Sequence, residues 1–158
     1  MIEISYKKLD GTNHKQLIPI CWRDITWSKF VQLKGIKGNE LEKLAFITGI
    51  DLNILLTNPL FLRALIDSCA FLWDEDVEIY ATRIKEEHKA TIASLEWGKL
   101  ENAKSAISQS GANIWQAGNE VVKTYLDFEI NDKPVTEVIG VVSFFLSKYQ
   151  SLLNDLRT

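Results

Sequence analysis

Cysteine and histidine are scarce in this chain, with two of each among 158 residues. Cys21 and Cys69 stand in apolar surroundings and form no CxxC pair, which favours buried, reduced thiols over a metal site or a redox pair and fits a reducing cytoplasm. His14 and His88 both fall where hairpin tips are expected, so they read as solvated loop histidines rather than as a paired acid–base site. Phosphate loops are missing: neither GxxxxGK nor GxGxxG occurs, and the eight glycines stand singly, mostly at helix ends. The nucleophile elbow GxSxG is missing too. No catalytic, cofactor-binding or metal-binding set of residues emerges, and the expectation is a protein that is not an enzyme and carries no cofactor.

Positive charge is not in excess. The net charge is −3, and basic residues alternate with acids, as in Arg83 to Lys89, which reads as a solvated face. Nucleic acid is therefore not an expected partner. Long hydrophobic runs are also lacking. The longest, Val138 to Leu146, is interrupted by Gly140 and Ser143 and falls far short of the roughly 20 residues that span a bilayer. The N-terminus, MIEISYKK, has no apolar signal core, so a soluble protein with no membrane partner is expected.

What remains is the composition of an ordinary globular chain, with 46% hydrophobic and 25% charged residues, of a length suited to one domain over residues 1–158. Five tryptophans are many for this size. Each sits at a helix start or on an apolar stripe, which favours core filling, with a protein interface as the natural use of any that reach the surface.

Ile2, Ile4 and Tyr6 alternate with polar residues, LDGTNH supplies turn chemistry, and Gln16 to Ile20 is short and closed by Pro19, which together predict a β-hairpin. Thr26 or Asp24 caps a helix from Trp27 that Gly35 stops; Asn39 caps a second that Gly49 ends; Asp51 caps a short turn. Asn58 and Pro59 then open a stretch to Trp73 that is apolar on every side. A helix of that kind is expected to be buried all round and to form the core.

Residues 77–93 read either as a second hairpin or as the start of a long helix. Further helices are expected over 95–108, about 112–126 and from Pro134 to about Leu156. Trp27 to Lys34 and Trp97 to Lys104 share the pattern W-x-K-apolar-x-x-apolar-K. An internal duplication of hairpin plus Trp-led helix, with half-repeats 1–73 and 77–158, would account for it and favours the hairpin. The expected fold is α+β, a predominantly helical single domain with one or two small β-hairpins.

In the last helix Val135, Val138, Val142, Phe145, Tyr149, Leu152 and Leu156 form one seam spaced 3 and 4. A second line of Ile139, Leu146 and Leu153 is the candidate protein interface, the alternative being that the whole helix is covered by its own chain.

Residues 22–73 combine DITWSKFVQL, the Thr-Gly-Ile-Asp of LAFITGID, a leucine turn and a long apolar helix. This order resembles the tail assembly chaperones and related small morphogenesis proteins of tailed bacteriophages. The resemblance implies a virion structural or assembly protein of the neck or tail region, with other phage structural proteins as partners and a homo-oligomer as an option. It places the protein in the virion, or in the host cytoplasm during assembly. The alternatives are a tail assembly chaperone missing from the mature particle and, in another class, a small phage-encoded enzyme or nucleic-acid accessory protein. The second half, including KTYLDFEINDKPVTEVIGVVSFFLSKYQ, extends beyond the short chaperones and favours the virion component.

Overall fold

A computed structural model describes residues 1–73, 97–111, 113–126 and 129–155; the side chains of residues 97, 99–100, 123–126 and 148–155 lie outside that description. The second hairpin expected over 77–93, and with it the duplication, falls outside the described residues.

Strands β1 (Ile2–Lys7) and β2 (Asn13–Ile18) pair antiparallel, with Tyr6 opposite His14 and Ile4 opposite Gln16. The turn is held by Asp10, whose carboxylate accepts from the Thr12 N–H and hydroxyl at 2.9 and 2.7 Å, while Gly11 takes a φ of 82° that a side chain would resist. Period-2 alternation turns Ile4, Tyr6, His14, Gln16 and Ile18 towards the helices.

Four helices follow. In α1 (Trp27–Gly35) the Thr26 hydroxyl accepts from the Lys29 N–H at 3.4 Å. In α2 (Glu40–Thr48) Asn39 accepts from the Glu42 N–H at 3.0 Å, and Gly49 closes the helix in the left-handed conformation at φ 71°. Asp51 caps α3 (Leu52–Thr57) through the Asn53 N–H at 2.7 Å, and Asn58 caps α4 (Pro59–Ser68) through the Phe61 N–H at 3.2 Å. Thr48-Gly49-Ile50-Asp51 is thus a helix stop, a buried anchor and the next helix start in four residues: the Thr48 hydroxyl donates to the Leu44 carbonyl at 2.8 Å and Ile50 is buried.

The second half contributes α5 (Trp97–Gln109), α6 (Gly118–Leu126) and α7 (Val135–Asp155), with a 3₁₀ turn over Ile114–Ala117 leading into α6. The result is a small, mostly helical α+β domain. Among the described residues no helix is long and apolar enough to cross a membrane.

The halves are joined by main chain. Trp27 N–H donates to the Lys133 carbonyl at 2.8 Å, Ser28 N–H to Asn131 at 3.0 Å, and Val135 N–H to Ile25 at 2.8 Å. Donors at the start of α1 lack partners within their own helix, and the turn before α7 supplies them. Just inside this latch Trp27 is fully buried, packed against Phe30, Trp115, Val142 and the bare α-carbon of Gly118. Its indole N–H finds no acceptor among the described residues, so shape alone holds the ring.

Around it Phe30, Leu33, Ala117, Val121, Val122, Val135, Val138, Val142 and Phe145 make one core. A second cluster, of Ile18, Leu44, Ile50, Ile54, Leu55, Leu65 and Cys69, lies under the hairpin, and Phe71 and Leu72 touch both.

Asn58 to Trp73 departs from the all-round burial its composition predicts. The α-helix ends at Ser68, a 3₁₀ turn takes over from Ala70 to Trp73, and within α4 itself only Leu65 is buried, with Cys69 at its C-cap. The helix lies at the edge, packed chiefly along α3, so the two cores leave it only one stripe to cover. Leu60 is 84% exposed.

Adding a Cβ at Gly118 would place it 2.5 Å from the Trp27 ring and 3.2 Å from Val142. Gly118→Ala is expected to lower stability by about 1–3 kcal/mol through overpacking, and Trp27→Ala by about 3–5 kcal/mol through the cavity it leaves. Denaturant unfolding of both and of the double variant checks this: with Trp27 shortened, the alanine at 118 should cost less than it does alone.

Candidate functional site

The hairpin tip overhangs the junction of α3 and α4, and an open groove of about 570 Å3 runs between them. Its apolar floor is Tyr6, Ile54 and Phe61, the last lying 5.6 Å from the Tyr6 ring. Lys7 and Lys8 stand on its rim, and among the described residues no carboxylate lines it. Beside it a second recess of about 440 Å3 shares Tyr6, Lys8, Leu9 and Ile54 and adds Asp10, His14, Gly49 and Asp51.

Most polar groups here are already committed. Thr57 donates its hydroxyl to Asn53 at 2.8 Å, Asn58 and Asp51 cap helices, and Asp10 holds the β-turn. The Thr12 hydrogen bonds keep the Asp10 carboxyl below its ordinary pKa, so it stays ionised. Across the two recesses that leaves two ammonium groups, an imidazole, a phenol, the Ser5 hydroxyl and the Asn13 amide over an apolar floor, with the carboxylates of Asp10 and Asp51 beside them, an arrangement suited to docking an amphipathic chain.

His14 is not at a loop tip as expected. It is the second residue of β2, half-buried, with its ring edge-on to Tyr6 at 5.4 Å. His88 lies outside the described residues.

Of the candidate interface residues on α7, Ile139 is 5% exposed and belongs to the main core, Leu146 is half-buried against it, and the Leu153 side chain lies outside the description. The seam of Val135, Val138, Val142 and Phe145 is buried as its spacing predicts. Large apolar side chains reach solvent elsewhere: Leu56 of α3 is 57% exposed, and Leu60 and Ile66 of α4 are 84% and 37% exposed. Sequence reasoning passed over this surface because it assigned α4 to the core. Trp22 and Trp27 fill the core as expected, whereas Trp73 and Trp115 are half-buried.

Neither thiol sits in the groove. Cys69 is buried as expected, its Sγ 3.5 Å from the Pro19 carbonyl, and burial pushes its pKa from 9.0 up to about 11, whereas Cys21, also expected to be buried, is exposed. Among the described residues no group of three or more histidine, cysteine or acidic side chains is placed to hold a metal.

No family model, no curated protein and no solved structure matches the chain.

The thiols supply a direct check. Titration with a thiol reagent at pH 8 is expected to modify one cysteine quickly in the native protein and two after unfolding. Because the folded pKa of Cys69 is raised, its contribution to stability is whole below pH 9 and lost as pH rises towards about 11. Cys69→Ala should remove that part of the alkaline slope.

Proposed function

We propose that this chain is a non-enzymatic structural or assembly protein of a tailed-bacteriophage particle, acting through protein contacts in the neck or tail region. The observation that carries this reading is the apolar surface of α3 and α4, where Leu56, Leu60 and Ile66 face solvent. That surface lies inside residues 22–73, the span that resembles phage morphogenesis proteins. A helix edge bearing exposed large aliphatic side chains is what a docking partner covers, because each buried methylene adds about 0.8 kcal/mol. The charge balance supports the same reading: a net charge of −3 offers no field for nucleic acid.

The open question within this function is whether the protein stays in the particle. Mass spectrometry of purified particles, with and without the gene disrupted, decides it. Recovery in stoichiometric amount supports a neck or tail component. If the protein is missing from particles whose tails fail to form without it, it is a chaperone. Normal, infectious particles assembled without the gene would overturn both.

A further inference from the structure

The outer face of α4 carries two opposite charges among apolar and small side chains. Leu65 and Cys69 turn inward, which at 100° per residue leaves Leu60, Arg63, Ala64 and Asp67 outward, and all four are exposed. Arg63 and Asp67 are one turn apart, the spacing at which a helix normally closes an ion pair, yet neither is paired among the described residues. Apart from these two charges the face is apolar or small, with Pro59 at its start and exposed Ala70 just beyond its end.

We propose that two copies of this chain pair through α4, antiparallel, about a two-fold axis at the level of residue 65. In that arrangement position i on one helix faces position 130 − i on the other, so the pattern is complementary to itself. Arg63 meets Asp67 of the second copy, and Asp67 meets its Arg63. Leu60 meets exposed Ala70, a large side chain against a small one. Isologous pairing requires that a patch complement its own rotated image, and the charges satisfy that condition twice. A parallel pairing in register would instead set Arg63 against Arg63 and Asp67 against Asp67. The charge pattern therefore selects one orientation as well as one partner. The inference names a second copy as the occupant of the part of the apolar α3 and α4 surface around Leu60, and its test, on the purified chain alone, stands apart from the phage reading.

The test is the mass of the full-length protein in solution, by sedimentation equilibrium. One helix face is smaller than the ~800 Å2 per partner of a stable interface, so the range examined should run from about 10 μM to about 1 mM. Wild-type protein is expected to rise from monomer towards dimer over that range, less steeply at high salt. Arg63→Asp and Asp67→Arg should each stay monomeric at all concentrations with unchanged melting curves, because both side chains are solvated. Mixed in equal amounts, the two variants should recover the dimer, since each then presents two like charges to the opposite pair. Leu60→Ser should abolish association in every background. A wild-type monomer throughout, dimers that persist in both single variants, or a mixture that does not associate would each overturn the proposal.

Discussion

The structure depends on the exchange of main-chain hydrogen bonds between the start of α1 and the turn that leads into α7. Trp27 and Ser28 donate into the turn at Asn131 and Lys133, and Val135 donates back to Ile25. These groups are separated by more than a hundred residues of chain, so closing the pair costs conformational entropy that local contacts cannot repay. The repayment comes from Trp27, which the latch pins in a slot floored by Gly118 and walled by Phe30, Trp115 and Val142. Side-chain amides reinforce the same seam: Asn113 donates to the Val31 carbonyl at 3.1 Å, and Asn119 donates to the side chain of Asn131.

With α1 and α7 committed to this core, the hairpin and α2 to α4 are left to build a second, smaller one. Lys29 joins the two regions by donating to the Ile47 carbonyl at 3.0 Å, a cation placed on the last turn of α2 where the helix dipole favours it. Phe71 and Leu72 join them again by packing against both clusters. A small cluster under a two-stranded sheet cannot enclose a helix on all sides. For that reason α4 keeps an open face, and the groove beneath the hairpin tip stays unfilled. Both candidate surfaces thus lie where the described residues of the second core leave it uncovered.

The Thr-Gly-Ile-Asp turn shows how a motif can look distinctive and yet have a local explanation. Thr48 ends α2 by bonding back to Leu44, Gly49 supplies the left-handed residue, Ile50 anchors the turn and Asp51 starts α3. Any pair of short helices joined by four residues would benefit from the same choices. The motif therefore speaks for the helix–turn–helix path of residues 40–57, and the functional reading has to stand on the exposed surface instead.

By itself the sequence determined the local elements. The caps at Thr26, Asn39, Asp51 and Asn58, the stop at Gly49, the alternation of β1 and the buried seam of Val135 to Phe145 were all legible, because each rests on hydrogen bonds or periodicity within a few residues. The helix expected over 112–126 was legible only in outline; a 3₁₀ turn occupies its start, set by the contacts Trp115 makes with α1. Which apolar helix became the core was not legible. Hydrophobicity has no direction, so the composition of α4 and that of α7 permit burial equally well. Only the tertiary structure supplied neighbours to α7 on the side of Ile139 and withheld them from α4 on the side of Leu60. It did so because the latch between Ile25 and Val135 fixes α7 against Trp27, and among the described residues nothing comparable holds chain over the outer face of α4.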